Sequence, residues 1–209
     1  TKLNVVLAIA IDQCIFKKCS KAMQTIMIVP VFISYAAVQF IVYAFISTDT
    51  GILNNLFGTH TRYYSTASFW PIILTIVKMW NSVGYGSVLY MSVLSGIDSS
   101  LYEAAEIDGA NKVRTFFKIT LPLLTPTIFF NLVMQMINGF LAFTQCYIIT
   151  QGKPMNSTLF YTVYMYQQSF EFYNTGYGAA LAWIMLMVIG TITAILFATK
   201  KFWVYEGGI

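Results

Sequence analysis

Residues 101–122 read LYEAAEIDGANKVRTFFKITLP, a segment with charges of both signs between two long apolar segments. Its first half is rich in helix formers, and Glu103 and Glu106 lie in the early turns, where carboxylates suit the helix dipole. Gly109 favours the end of that helix, and residues 110–118 favour a second helix with basic side chains near anionic head groups. The segment is therefore predicted to be a helical loop that joins two membrane helices.

The composition predicts an all-α membrane protein. The 209 residues are 57% hydrophobic, 17% aromatic and 10% charged, with too few polar residues to cover a soluble protein. The net charge is +4, and its basic residues fall in short clusters, so no nucleic-acid-binding face is predicted. Cys14, Cys19 and Cys146 have no metal-ligand spacing and form no even set. Neither a metal site nor a disulfide framework is predicted.

The apolar segments predict one transmembrane domain over residues 1–209. A crossing helix needs about 20 apolar residues, and the partial helix at 3–16 is too short, so we expect N-terminal sequence to be missing. Residues 49–68 and 150–154 have turn composition and are predicted to be external loops. Pro122 and Pro126 are expected to bound the crossing that follows the charged loop. Complete crossings are predicted at 25–47, 69–97, 125–149 and 176–199.

The basic residues predict the orientation in the membrane. Arg62 and Lys153 fall on one side of the alternating crossings. Cytoplasmic segments carry the excess of lysine and arginine, so loop 98–122 and the C-terminus are expected to be cytoplasmic. The larger set of basic residues lies on this predicted cytoplasmic side and comprises Lys17, Lys18, Lys21, Lys112, Arg114, Lys118, Lys200 and Lys201.

The charged loop resembles the EAA loop of bacterial ABC-importer permeases. Glu103-Ala104-Ala105, Gly109 and the ending ITLP at 119–122 have that family's spacing. The run YEAAEIDGA at 102–110 further resembles the carbohydrate permeases, which include the maltose and glycerol-3-phosphate transporters. The turn TQGKP at 150–154 is similar to that group's turn, with Lys153 in place of a glycine. The resemblance implies a polytopic helical bundle of the type I ABC-importer permease kind in the bacterial cytoplasmic (inner) membrane.

The same resemblance implies a coupling role for the loop and a set of partners. The loop would dock on an ATP-hydrolysing subunit, with Glu103 as the ionic anchor. The sequence has no GxxxxGK[ST] phosphate loop, so we expect a transport subunit that is not an enzyme, with ATP and Mg on the partner. Expected partners are two ATP-binding subunits, a second homologous permease, an extracytoplasmic solute-binding protein and a sugar or oligosaccharide. The implied coupling residues are Glu103, Ala104, Ala105, Asp108, Gly109 and Ala110.

Similarity to the maltose permease implies substrate positions on the helices before and after the loop. The positions before the loop are three and four residues apart, which places them on one helical face. On the helix after the loop, glycine and alanine offer no side-chain hydrogen bond, so nearby Gln135, Thr144 and Gln145 are alternatives. Packing inside the protein is the competing interpretation for each. The implied positions are Lys78, Asn81, Ser82 and Tyr85, followed by Asn138, Gly139 and Ala142.

Lys78 bears on the class of substrate. A lysine about ten residues into an apolar span is costly against lipid. It can contact an anionic substrate, such as a uronic-acid oligosaccharide or a phosphorylated polyol. It can also pair with an acid of the partner permease, or extend to the interface. These three interpretations stay open.

Two other classes of protein are weighed against the importer. A secondary transporter needs ion-coupling carboxylates at mid-membrane. A structural membrane subunit without a transport path would leave the polar face around Lys78 unexplained. The carboxylates that a secondary transporter could use for ion coupling lie near span ends or in loops, which argues against that class: Asp12, Asp49, Asp98, Glu171 and Glu206.

Overall fold

A computed structural model describes residues 2–12 and 17–205, and all regular secondary structure in those ranges is helical. The predicted all-α class is confirmed. Cys14 and Glu206 lie outside the described residues, as do the side chains of Lys17, Lys18 and Cys19. The α-helices are α1 (Lys2–Asp12), α2 (Lys17–Ile28), α3 (Tyr35–Ile46), α4 (Ile52–Phe57), α5 (Trp70–Leu94), α6 (Ser99–Ile107), α7 (Lys112–Thr115), α8 (Leu121–Phe140), α9 (Thr144–Thr150), α10 (Tyr161–Tyr166) and α11 (Thr175–Thr199).

Short helical turns of other types extend several of these helices. The π-helical turn Phe116–Thr120 joins α7 to α8, and Gln167–Glu171 follows α10. The 3-10 turns are Val29–Phe32, Tyr63–Ser65, Ala67–Phe69 and Lys200–Phe202.

Three helical stretches of the described chain are long and apolar enough to cross a membrane: Ala67–Leu94, Lys112–Thr150 and Thr175–Phe202. A fourth counts if Ser20–Phe32 and Tyr35–Ile46, which are bent by 102°, form one span. The segment predicted as one crossing at 25–47 is thus broken. Proline in a helix removes a backbone donor, and Pro30 lies in the 3-10 turn before the break.

The crossing predicted at 125–149 differs at both ends of α8. The helical stretch begins earlier, at Lys112, and runs past Pro126, which lies inside α8. Proline at 126 cannot donate to the carbonyl of Pro122, but the Thr125 hydroxyl donates to that oxygen at 2.6 Å. At the other end, the chain leaves the helix between α8 and α9, where the Thr162 hydroxyl donates to the Ala142 carbonyl at 2.7 Å. Threonine side chains therefore satisfy carbonyls at both irregular points.

The chain divides into two compact units by its internal packing. The single transmembrane domain stays a prediction. The first unit comprises Thr1–Ile28, Val83–Ile137 and Gly190–Ile209. In this unit α5 approaches its neighbours through glycines, because a Cβ at Gly84 would strike the Met27 carbonyl. Two apolar clusters form its core: Ala8, Tyr90, Leu94 and Leu124 in one, and Phe129, Val133 and Val204 in the other.

The second unit comprises Val29–Ser82 and Asn138–Ile189. Cys146 is a free, buried thiol in its core. The core consists of Val38, Val42, Ile46, Trp70, Leu74, Cys146, Ile149 and Val163.

Candidate coupling loop and substrate residues

The charged loop folds as a capped helix, a left-handed turn and a second capped helix. Asp98 is the N-cap residue of α6, and its Oδ1 accepts a hydrogen bond from the Ser100 backbone N–H at 3.0 Å. Gly109 follows the helix with φ of 70°, the left-handed conformation that glycine adopts without a Cβ penalty. Asn111 then caps α7 by accepting from the Arg114 N–H at 2.9 Å, so the second helix begins at Lys112. Local side-chain chemistry therefore sets each boundary.

The helix α6 has one buried and one exposed face. Ala105 is buried, and the half-buried Tyr102 hydroxyl lies 3.1 Å from the Thr120 hydroxyl, which ties α6 to the turn before α8. Glu103, Ala104 and Ile107 lie on the opposite side, and Ile107 is 87% exposed. Of the predicted coupling residues, Glu103, Ala104, Asp108 and Gly109 are exposed, Ala110 is half-buried and Ala105 faces inward.

The predicted substrate residues before the loop all lie on α5 but in different surroundings. Lys78, Asn81 and Ser82 are half-buried residues of the second unit, whereas Tyr85 belongs to the first unit and is 64% exposed. The Ser82 hydroxyl donates to the Lys78 carbonyl of its own helix at 2.7 Å. Lys78 forms no ion pair with any of the side chains that the structure describes. Its ammonium group therefore has no internal counter-ion among them.

The predicted residues after the loop lie near the end of α8. Asn138 and Gly139 are exposed in the second unit. Gln135 is an exposed residue of the first unit, and its Nε2 donates to the Asn131 Oδ1 at 3.1 Å. Ala142 is buried beyond the end of α8, and its carbonyl accepts the Thr162 hydroxyl.

Residues 5–199 match the family described as binding-protein-dependent transport system inner membrane component. The chain belongs to this family. The permease is 47% identical over 142 residues to the probable ABC transporter permease protein YesP of Bacillus subtilis (strain 168), covering 67% of this chain and 45% of that protein. It is 39% identical over 128 residues to the sulfoquinovosyl glycerol transport system permease protein SmoG of Agrobacterium fabrum. That match covers 61% of this chain and 41% of SmoG. The chain thus spans about half the length of these curated relatives.

Solved structures share the permease's fold. A bacterial ABC transporter involved in the import of the acidic polysaccharide alginate superposes with a TM-score of 0.89 at 24% identity, covering 95% of this chain and 71% of that chain. The complex of the alginate transporter with an alginate pentasaccharide-bound periplasmic protein superposes with a TM-score of 0.90, also at 24% identity. The match covers 99% of this chain and 73% of that chain. The predicted ABC-permease resemblance and the type I importer permease fold are confirmed.

A polar cluster inside the permease's second unit includes one residue that the sequence did not indicate. Tyr35, the first residue of α3, has its hydroxyl 3.2 Å from the Asn81 Oδ1 and 3.1 Å from the Gln145 Oε1. Gln145, an alternative substrate residue in the sequence, is buried on α9. No sequence signal identifies Tyr35, because its partners are 46 and 110 residues away.

Proposed function

We propose that the permease is the transmembrane subunit of an ATP-driven bacterial importer for a sugar or oligosaccharide. ATP hydrolysis on a separate chain would be coupled through loop 98–122 to movement of the helices between outward-open and inward-open states. The observation that carries this proposal is the exposed face of α6. There a large apolar side chain, Ile107, stands 87% exposed one turn from the carboxylate of Glu103. In a loop that shares the EAA spacing of ABC-importer permeases, an exposed apolar side chain beside a carboxylate supports a docking surface for a partner subunit.

The arrangement of α6 supports a mechanical role for the loop. The buried Ala105 and the Tyr102–Thr120 contact fasten one side of α6 to the start of α8. The other side presents Glu103, Ala104 and Ile107 to a partner. A push on the exposed face would therefore be passed to the helical stretch Lys112–Thr150.

The relatives support a sugar substrate. The names of two of them refer to transport of sulfoquinovosyl glycerol and of arabinooligosaccharides. The alginate transporter with the same fold imports an acidic polysaccharide. An acidic sugar would also supply the counter-ion that Lys78 does not find within the described chain, since a half-buried ammonium group in a membrane span is unfavourable without one.

The proposed assembly contains two ATP-binding subunits, a second homologous permease and an extracytoplasmic solute-binding protein. The family description and the alginate transporter in complex with a periplasmic protein support such an assembly. ATP and Mg would bind to the partner subunits. The loop 98–122 and the C-terminus would face the cytoplasm, where those subunits lie.

The proposal is tested by reversing the charge at Glu103. The permease is co-purified with its ATP-binding subunits, and ATPase activity stimulated by the loaded binding protein is measured. Glu103→Lys is expected to lower the stimulated rate by about tenfold or more, because it places a cation in the docking interface. Glu106→Lys makes the same change in charge on the flank of α6 and is expected to lower it by about twofold at most. Normal subunit binding and transport in Glu103→Lys would refute the coupling role.

A further inference from the structure

The break before α3 is held by polar side chains from two other helices. Asn81 of α5 donates from Nδ2 to the Pro30 carbonyl at 2.7 Å. The Oδ1 of the same amide lies 3.2 Å from the Tyr35 hydroxyl, which also lies 3.1 Å from the Oε1 of Gln145 on α9. All four residues belong to the second unit. A continuous polar chain therefore runs from the break to α9.

The Pro30 carbonyl needs such a partner. It lies in the 3-10 turn Val29–Phe32, and its backbone partner is the Ile33 N–H at 3.2 Å. At the end of a helix this carbonyl has only the bond of its own tight turn to rely on from the backbone, and hydrocarbon supplies no water for its second lone pair. The Asn81 bond, at 2.7 Å, is the shorter of the two. On the other side of the break, Ser34 accepts from the Ala37 N–H at 3.3 Å and so caps α3.

The hydrogens of the cluster can be accounted for completely. A phenol has one proton and can serve one of the two amide oxygens at a time. If the Gln145 amide presents its NH₂ group to the Tyr35 oxygen, the Tyr35 proton is free to serve the Asn81 Oδ1. The Asn81 NH₂ then serves the Pro30 carbonyl. Both side-chain amides of this hydrogen-bonded cluster are then bonded to other protein groups. Asn81 is therefore left with little capacity to form a hydrogen bond with a sugar hydroxyl.

We propose that Asn81 is a positioning residue that fixes the bend between Phe32 and Tyr35 through the Pro30 carbonyl, with Tyr35 and Gln145 completing the network. It would influence transport by holding the broken helix, and not by contact with substrate. The effect on transport rests on the proposed importer function. The effect on the bend does not.

The test is hydrogen exchange of the full permease in lipid nanodiscs, without substrate or nucleotide. Asn81→Leu keeps a side chain of similar size and removes the hydrogen bonds. Exchange of the Ile33 and Ala37 amides is expected to rise about tenfold, because the carbonyl that anchors the turn loses its stronger partner. Tyr35→Phe removes the hydroxyl alone and is expected to cause a smaller rise at the same amides. Ser82→Ala, whose hydroxyl bonds within its own helix, is the matched control and should leave them unchanged.

Unchanged exchange in both Asn81→Leu and Tyr35→Phe would overturn the proposal. A loss of sugar uptake in Asn81→Leu with normal exchange would instead assign Asn81 to substrate contact. If Asn81→Leu fails to fold, Tyr35→Phe decides, because it keeps the ring and the Asn81–Pro30 bond. A permease with the expected exchange pattern but no sugar uptake in any variant or in the wild type would refute the proposed function and leave the role of Asn81 standing.

Discussion

Lys78 and Asn81 lie three positions apart on α5, yet their surroundings differ. The Asn81 amide is bonded to Pro30 and Tyr35, whereas the Lys78 ammonium group has no ion-pair partner among the described side chains. The charge of Lys78 is therefore available to a ligand or to a partner chain. The proposed function assigns it to an acidic sugar.

Replacing Lys78 by glutamine should separate charge recognition from shape. Lys78→Gln keeps a polar side chain and removes the charge, so uptake of an acidic oligosaccharide is expected to fall about tenfold, the effect of losing one charge-assisted hydrogen bond. Uptake of a neutral oligosaccharide of equal length should change by about twofold or less. Uptake of both is measured in the same vesicles. An equal loss for the two sugars would contradict charge recognition.

A second residue-scale feature is Asn54, which organises the loop between α3 and α5. This residue is 3% exposed. Its Nδ2 lies within 3.3 Å of the Ser47 carbonyl and 3.0 Å of the Thr48 and Thr61 carbonyls. Its Oδ1 accepts from the Thr59 hydroxyl at 3.0 Å and from the Thr61 N–H at 3.1 Å. One side chain of α4 thus ties together the segments on either side of that helix.

Asn54→Ala is expected to lower the free energy of opening of this loop by about 3 kcal/mol, because one buried and several half-buried groups lose their partner together. Hydrogen exchange over residues 47–61 measures the change. Asn55→Ala, at the exposed neighbouring position, is the control and should leave exchange nearly unaltered. Equal protection in Asn54→Ala and wild type would show that other contacts hold the loop.

At the scale of single elements, α6 depends on its N-terminal cap. The Ser100 backbone N–H, and secondly its hydroxyl, lower the pKa of the Asp98 carboxyl below its ordinary value of 3.8, because these hydrogen bonds favour the charged form. A group with a lowered pKa stabilises the folded state above its unfolded pKa. That contribution is lost as the pH falls through the folded pKa.

The α6 amides are therefore expected to be best protected near neutral pH and to become less protected as the pH falls below 3.8. Asp98→Asn retains a capping oxygen and removes the titration, so its protection should not follow this acid transition. Hydrogen exchange across a pH series, corrected for intrinsic rates, provides the measurement. The same acid loss in Asp98→Asn would exclude Asp98 as its cause.

The long helix α11 exposes apolar side chains over much of its length. In α11, Trp183, Leu186 and Met187 are each at least 59% exposed, as expected of a helix facing acyl chains or another membrane subunit. In α8, the Thr125 hydroxyl donates to the Pro122 carbonyl, which has no backbone donor at Pro126. A proline is thus tolerated well inside α8.

For the whole molecule, the orientation inferred from basic residues can be tested with single cysteines. In a permease whose Cys14, Cys19 and Cys146 are replaced by alanine, Lys153→Cys and Glu106→Cys introduce thiols at two exposed positions. A membrane-impermeant maleimide should label position 153 in intact cells. It should label position 106 only after the cells are permeabilised. The positive-inside distribution is the reason for this expectation. The reverse pattern would place loop 98–122 outside the cytoplasm.

The sequence by itself determined the class of the protein, its family and the outline of loop 98–122. Apolar length sets a membrane helix without reference to other residues, so 69–97 and 176–199 closely match α5 and α11. The caps at Asp98 and Asn111 and the turn at Gly109 are also local, since each acts within four residues.

Only the tertiary structure decided where helices break and which polar side chains meet. The prolines at 30 and 126 give the same local signal, yet one lies beside a break and the other inside a continuous helix. At both sites a side chain supplies a donor to a carbonyl, from Asn81 at Pro30 and from Thr125 at Pro122. The cluster of Tyr35, Asn81 and Gln145 joins residues up to 110 positions apart, which local pattern cannot bring together. Inside a membrane each polar group must find its partner through packing, because no water is there to replace it.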